Sequence, residues 1–485
     1  MTTFATNRLR RTPGGGVRRV IVPLALSFLG LTSGCMVVGP NYVSPATEGA
    51  APDEWVSAVA EGITTESAEL AQWWTLLDDP VLDTLVDAAL VGNLDLEQAH
   101  SRVREARARR GIAASARLPD MGASGSAASV REGTQSTGER YTIGFDAAWE
   151  IDLFGRVTRS IEAATADVQA QIEAGRGARV SLLAELALSY VEYRSYEKRL
   201  HLAHANVQTL ERTLDIVNAR FESELADRLQ IAQAESNLGA GRSRIPPLET
   251  GLRRAAYRLA VLVGRRPGAL ADILEPERPI PAPPATLAIG IPADLLRRRP
   301  DLRLAERELA AQSARVGVAI ADLYPRFSFN GMLQFSAADV STLMDDAGRS
   351  SRIGPAFSWR VFNAGSVRNN IRVQSEKQEQ ALLQYEQTVL LALEETENAM
   401  VAYIHEQTRR QTLAEAAAAA RRAAELAESL YQDGLKDFIH VLDAQRIRVD
   451  AEDRLAISEA EVVANLIRLY KALGGGWPGH DAVSP

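Results

Sequence analysis

Cysteine is almost absent from this chain, because Cys35 is the only one among 485 residues. A single thiol excludes an intrachain disulfide and any zinc site built from cysteines. Beyond the amino-terminal region there is no run of 18 consecutive apolar residues, so no transmembrane helix is predicted there, and such a chain can cross a membrane only as a β-barrel. Walker A and GxGxxG glycine motifs are also missing, which argues against a built-in nucleotide-driven motor.

Basic residues are fewer than acidic ones, 54 against 62. The amino-terminal segment is basic, so the rest of the chain is more acidic than these totals indicate. Residues 1–34 contain five arginines, no acid, and an apolar run from Val20 to Leu31 that is too short to span a bilayer. This composition is typical of a secretory signal peptide. Without it 49 basic residues face 62 acidic ones, a net charge of −13, so nucleic-acid binding is not expected.

The segment from Leu31 to Cys35 has the pattern of a lipobox, in which cleavage makes Cys35 the first residue of the mature chain. We therefore predict an N-acyl group and an S-diacylglycerol on Cys35, because several acyl chains together give stable anchoring. The alternative is a cysteine that follows the signal peptide by accident. Met36 comes next, rather than the aspartate that retains many lipoproteins in the inner membrane, so we expect the outer membrane. No other cofactor is predicted.

The mature chain is predicted to contain an internal duplication, in which one structural unit occurs twice. Five pairs of landmarks recur at nearly constant spacing: Asp95-Leu96 with Asp301-Leu302 and Leu118-Pro119 with Tyr324-Pro325 at an offset of 206, and Trp149 with Trp359, Gly155 with Gly365 and Gly264 with Gly474 at 210. A proline-rich stretch between the halves indicates an extended linker. The predicted organisation is signal peptide 1–34, lipid-anchored segment 35–72, first repeat 73–275 with a hairpin at about 121–152, linker 276–290, second repeat 291–475 with a hairpin at about 325–362, and tail 476–485.

Each half is predicted to run helix, hairpin, very long helix, turn and helix. The helix before the first hairpin is expected at about Leu94–Ala116, and its counterpart at about Pro300–Ala321. From Leu182 to Phe221 an apolar 3.5-residue repeat, broken only at Ser189, extends over more than five heptads and predicts coiled-coil packing over about 60 Å. The second half has two adjacent apolar seams, as the wall of a hollow bundle requires, although a solid coiled coil stays open.

The segments between these helices alternate with a period of two. Apolar side chains occupy the odd positions from Tyr141 to Ile151, and polar ones occupy most of the even positions; Phe327 to Phe335 follows the same pattern. This is the pattern of a membrane-barrel strand, although an ordinary half-buried strand has it too. Four strands per chain are too few to close a barrel of at least about eight, so we expect a barrel shared by two or three chains.

Six longer segments together resemble the TolC-like outer-membrane factors, specifically the NodT-type lipoproteins that partner resistance-nodulation-division (RND) pumps. They are VGPNY from Val38, WEIDLFGRV from Trp149, LAVLVGRRPG from Leu259, IPADLLRRRPDLRLAE from Ile291, VLDAQR from Val441 and LYKALGGGW from Leu469. The resemblance implies a mainly α fold with a small transmembrane β part, in which a trimeric α-barrel in the periplasm joins a shared twelve-stranded β-barrel. It also implies a gated tip that a periplasmic adaptor, the membrane fusion protein, and an inner-membrane RND pump engage.

The same resemblance implies gate residues in the second turn, Tyr431 to Asp443. Tyr431 and Lys436 fall where an aromatic and a basic residue restrain neighbouring helices, and Asp443 falls at a pore-lining acidic ring. Three like charges around a narrow axis repel one another and attract cations. A solvated surface carboxylate is the alternative for Asp443. His440 stands where some members carry a second aspartate, so an imidazole replaces a carboxylate there.

The first turn, Phe221 to Gln233, departs from the family pattern at two positions. Glu224 replaces the expected turn glycine, and Gln230 replaces an aspartate of the gate. Elsewhere His201 and His204 are three residues apart, but without an evident third ligand we expect a solvated helix face rather than a metal site.

The predicted function is an outer-membrane efflux channel, not an enzyme, that conducts small toxic compounds or drugs from the periplasm to the exterior. A lipid-anchored coiled-coil stalk and a periplasmic hydrolase are the alternatives; aromatic hairpins argue against the first and the lack of a nucleophile with its base against the second. The expected partners are outer-membrane lipid, two further copies of the chain, an adaptor and an RND pump.

Overall fold

The computed structural model describes residues 36–45, 52, 54–56, 63–65, 70–131, 133, 136–284 and 286–477. The predicted signal peptide, Cys35 and the end of the tail from residue 478 lie outside these residues. The fold is mainly α with a small β part, as predicted. In the described part the chain forms two compact units, the first with residues 36–39, 116–159 and 317–367, and the second with most of the helical residues.

The first unit contains an antiparallel sheet of four strands. They are β1 (Asp120–Val130), β2 (Gly138–Ile151), β3 (Arg326–Ala337) and β4 (Arg349–Ser358), and they lie in this order across the sheet. The contact between β2 and β3 therefore joins a hairpin from each half of the sequence.

The apolar positions predicted from the alternation meet across the β2–β3 pair. Trp149 is opposite Phe329, and Phe145 is opposite Leu333. All four of these side chains are exposed, with Phe145 56% accessible. One face of the sheet is therefore apolar, and the other described residues leave it largely exposed.

Tryptophans fix both hairpins in the same way. The indole nitrogen of Trp149 donates to the carbonyl of Arg117 at 2.9 Å, and that of Trp359 donates to the carbonyl of Leu323 at 3.0 Å. The pairs are related by the offsets of the sequence duplication, so the repeat extends to single hydrogen bonds.

Helices make up most of the chain. Those of seven residues or more are α1 (Pro80–Gly92), α2 (Leu94–Ser115), α3 (Arg156–Glu222), α4 (Arg228–Ser243), α5 (Ile245–Leu262), α6 (Pro292–Arg298), α7 (Pro300–Ala321), α8 (Ser366–Gln432) and α9 (Phe438–Ala472). None of the helices in the described part of the chain has the length and apolarity needed to cross a membrane.

The long helices α3 and α8 have 67 residues each, a length of about 100 Å. Along the predicted seam of α3, Leu182, Leu186 and Val217 are buried, and Ser189 is buried as well. Only its last position, Phe221, is exposed. The seam therefore packs against other helices along almost its whole length.

The returning helices differ between the halves. In the second half α9 runs without interruption for 35 residues, whereas the single helix expected in the first half is divided into α4 and α5 at Arg244. Pro246 and Pro247 follow this break, and prolines lack the amide needed for a continuous helical ladder.

The second unit has a core built from both halves of the sequence. Trp73, before the first helix, stacks on Tyr470 near the end of α9 with ring centroids 5.3 Å apart. The hydroxyl of Tyr190 in α3 donates to Asp79 at 2.6 Å, and Asp79 also caps the start of α1. The two repeats therefore fold around one common core.

Candidate functional site

Two turns of the second unit contain the predicted gate residues and contact each other. We call residues 221–233 and 431–443 the turn pair; each turn joins a long helix to its returning helix. In the first turn Glu224 has a φ of +59°, and the carboxylate of Asp227 accepts from the Gln230 amide at 2.9 Å to start α4. In the second turn Gly434 has a φ of +76°.

A small apolar cluster lies beneath the turn pair. The rings of Tyr431 and Phe438 are 5.2 Å apart, and Val217, Ala234 and Val441 are buried with them. Because these residues come from α3, α4, α8 and α9, the cluster joins both helix pairs at their turns. Burial here stabilises the two turns against each other rather than each turn alone.

The structure brings together two of the predicted gate residues, Tyr431 and Gln230. The hydroxyl of Tyr431 donates to the side-chain oxygen of Gln230 at 3.1 Å, and Tyr431 is only 4% exposed. Burial raises the pKa of Tyr431 above its ordinary value, so the phenol keeps its proton and remains a donor.

Sequence reasoning missed Arg220, near the end of α3. Its Nη1 donates to the main-chain oxygens of Tyr431 at 3.0 Å and Gln432 at 3.2 Å, and its guanidinium lies 4.7 Å from the centre of the Tyr431 ring. A basic residue in the last turn of a helix was the available signal, but such a residue normally satisfies its own helix, and nothing local indicated that it reaches another.

The remaining gate candidates, Lys436, His440 and Asp443, are exposed and lie apart from this contact. Asp443 forms an ion pair with Arg446 at 2.7 Å on the surface of α9. Within the described residues of this single chain, the side chains of Lys436 and His440 have no hydrogen-bond or ion-pair partner. Any contact of these three across a symmetry axis needs further copies of the chain.

No group of three or more His, Cys, Asp or Glu side chains in the described part of the chain is placed to hold a metal. His201 and His204 are both exposed on α3. The described residues therefore give no positive support to a metal centre on this helix.

The residues that follow Cys35 form hydrogen bonds within each unit. In the first unit Val38 donates to the carbonyl of Phe154 at 3.2 Å. In the second unit the Tyr42 hydroxyl and the Ser44 hydroxyl both donate to Glu306, at 3.1 and 2.7 Å. Burial, followed by the charge of Glu306, raises the pKa of Tyr42 to about 12.

Comparison with known proteins covers nearly the whole chain. Residues 85–265 and 291–475 match the family described as "Outer membrane efflux protein". Nodulation protein T of Rhizobium leguminosarum bv. trifolii is 30% identical over 454 residues, 92% of this chain and 96% of that protein. Outer membrane protein OprJ of Pseudomonas aeruginosa is 30% identical over 478 residues, 96% of this chain and 97% of that protein.

Solved structures agree with these sequence matches. The structure of the outer-membrane channel OprN has a TM-score of 0.83 to this one at 38% identity, and the match covers 91% of this chain and 99% of that one. The TolC-like fold expected from the sequence is thereby confirmed, and so is the outer-membrane location. This chain belongs to the outer membrane efflux protein family, a family of transport channels.

Proposed function

We propose that three copies of this chain form the outer-membrane duct of a tripartite efflux system, with an adaptor and an inner-membrane RND pump as partners. The duct conducts small toxic compounds or drugs from the periplasm to the exterior, and the pump supplies the energy. The chain contributes a passive path and a gate.

The uncovered apolar face of the four-stranded sheet carries this proposal. Phe145, Trp149 and Phe329 project from it without cover from the described residues, a costly arrangement in water and a favourable one in lipid. The outer strands β1 and β4 each have a partner on one side only, which leaves unpaired edges. Pairing of β4 with β1 of the next copy closes three sheets into a twelve-stranded barrel and removes every edge.

The turn pair is the proposed gate. Tyr431 and Gln230 restrain the two turns, and Lys436 and His440 reach neighbouring copies. Asp443 forms the acidic ring, in which three carboxylates repel one another and attract cations. The ion pair with Arg446 weakens this field without cancelling it, because both side chains are more than half exposed to solvent.

Lipid on Cys35 is the proposed anchor. The hydrogen bond from Val38 to Phe154 in the first unit supports it, since a fixed segment behind the anchor holds the acyl chains at one place relative to the sheet. An anchor on a loose tether would not do so.

Single-channel recording in planar bilayers tests the duct, with cations added from the side of the turn pair. We expect small cation-selective openings from the unaltered protein and reduced selectivity in Asp443→Ala. Asp433→Ala is the matched control, because it removes an exposed carboxylate from the same turn at a position outside the proposed ring. No conductance from correctly assembled trimers of any of the three would contradict the duct and favour a stalk.

A further inference from the structure

We propose that Arg220 is the positioning residue that holds the turn pair together in the closed channel, and that its loss favours opening. This inference rests on the proposed duct function. A residue from the first half of the sequence thereby restrains the second turn, which contains Tyr431 and Asp443.

The guanidinium of Arg220 reaches from the end of α3 to the end of α8. It donates to the carbonyl oxygens of Tyr431 and Gln432, which belong to the last turn of α8, where no further helical turn supplies amide donors; the Tyr431 oxygen also accepts from the Gly434 amide at 3.0 Å. A cation at these carbonyls is favoured by the negative end of the helix dipole as well as by the hydrogen bonds. The contact therefore fastens one long helix to the other at the place where both end.

The same side chain also orients the predicted gate aromatic. Arg220 lies over the ring of Tyr431, while the hydroxyl of that residue binds Gln230 on α4. Tyr431 is thus held by both helices of the first-half pair. When α8 moves away from α3, the two hydrogen bonds, the cation–π contact and the bond to Gln230 must all break.

The second turn offers no contact of this kind in return. The residue 210 positions after Arg220 is Leu430, which has no polar side-chain atom. Among the described residues, the hydrogen bonds that cross the turn pair through side chains are those of Arg220 and Tyr431. A single arginine per chain therefore supplies the charged part of this restraint.

Behind the turn pair the packing between the helix pairs is incomplete. A cleft of about 150 Å³ lies there, lined by residues that include Asn206, Leu210, Gly241, Leu442 and Gln445. The side-chain oxygens of Asn206 and Gln445 are buried without partners among the described residues, and the nearest bond across the helices is Gln445 to Thr213 at 3.0 Å. Without Arg220 the apolar cluster beneath the turn pair, the bond from Tyr431 to Gln230 and the bond from Gln445 to Thr213 are left to oppose separation at this end.

The test compares Arg220→Met with Arg228→Met in full-length trimers. Methionine keeps an unbranched, flexible and apolar side chain but removes the charge and the donors of arginine. Arg228 is exposed on the first turn of α4 and has no side-chain partner among the described residues, so its loss changes the charge of the turn pair equally. Arg220→Lys restores the charge but not the planar fork that reaches two carbonyls.

We expect Arg220→Met to raise the open probability in planar bilayers by about tenfold, Arg220→Lys to raise it less, and Arg228→Met to leave it unchanged. The heat-dissociation temperature of the trimer should stay the same in all of them. Equal open probabilities in Arg220→Met and Arg228→Met would overturn the inference, and so would a gain in opening that always accompanies a less stable trimer, which indicates a merely structural role.

Hydrogen exchange of the Gly434 and Leu435 amides gives a second measurement that does not need conduction. Both close the second turn onto the end of α8, on the oxygens of Tyr431 and Leu430. Their exchange should become about tenfold faster in Arg220→Met and stay unchanged in Arg228→Met. Faster exchange without any conductance would leave the Arg220 contact supported and reject the duct; normal conductance with unchanged exchange and gating would reject the Arg220 contact alone.

Discussion

Glu224 has a strained backbone conformation in the first turn. Its φ of +59° lies in the left-handed region, whereas Gly434, 210 residues later, occupies the equivalent place with a φ of +76°. An L-residue in this region costs about 1–2 kcal/mol, and glycine does not. Glycine loses about 0.5–1 kcal/mol more conformational entropy on folding. The midpoints of these two ranges differ by about 0.75 kcal/mol, so Glu224→Gly should stabilise the closed turn by about 0.5–1 kcal/mol, or about two- to fivefold in its opening equilibrium.

Native-state hydrogen exchange of the Leu225 amide measures this effect, because it donates to the carbonyl of Arg220 at 2.8 Å and closes the turn. We expect two- to fivefold slower exchange in Glu224→Gly. Glu224→Ala is the control, since it removes the same carboxylate but keeps a Cβ at positive φ, and its exchange should not slow. The Leu435 amide, bound to the Leu430 carbonyl, is an internal reference. Equal slowing in the glycine and alanine variants would refute the strain argument and point to the carboxylate.

Two further predictions concern the second unit. Gly264→Ala should abolish heat-stable trimers on unheated gels, because an added Cβ would lie 1.9 Å from the Gly92 carbonyl oxygen. In the control Gly268→Ala the added Cβ would meet nothing within 4 Å, so this variant should lose only the roughly 1–2 kcal/mol of stability that a positive φ costs. Equal trimer yields from the two variants would contradict the prediction. The pKa of Tyr42, raised to about 12 by burial and then by Glu306, lies above its unfolded value of about 10, so the folded state keeps a proton that the unfolded chain loses. This stabilisation is complete below pH 10 and falls as the pH rises to 12; proteolysis of residues 36–45 should accelerate across that window, and the same acceleration in Tyr42→Phe would show that the phenol is not its cause.

Local patterns were enough to predict most of the fold. The strands could be found because alternation repeats every two residues, and the pairing of Trp149 with Phe329 places the expected apolar positions on one face. The seam from Leu182 could be followed because each heptad repeats the same packing. The break at Arg244 was missed although Pro246 and Pro247, which lack the amide that continues a helical ladder, indicate it.

Contacts between distant parts of the chain could not be predicted. The stacking of Trp73 on Tyr470 joins opposite ends of the sequence, and no periodicity relates them. For the turn pair, resemblance supplied Tyr431 and Gln230, and the structure joins them by a hydrogen bond. Arg220 was missed because it binds main-chain carbonyl oxygens of another helix. Every residue type has such an oxygen, so the sequence does not show where the acceptors are.

The two turns differ at equivalent positions of the duplication, and this difference suits the proposed gate. Gln230 and His440 are equivalent under the offset of 210, as are Gln233 and Asp443, so the ionisable side chain belongs to the second turn in both cases. In the proposed trimer six turns surround the axis, but only three carry a carboxylate at the position of the proposed ring, because the first turns have Gln233 there. Six carboxylates would repel one another more strongly around the same axis and would favour opening. With the ring carboxylate on the second turns alone, the first half of each chain can supply the restraint, and a restraint that acts from the first half on the second turn requires a residue such as Arg220 that has no counterpart there.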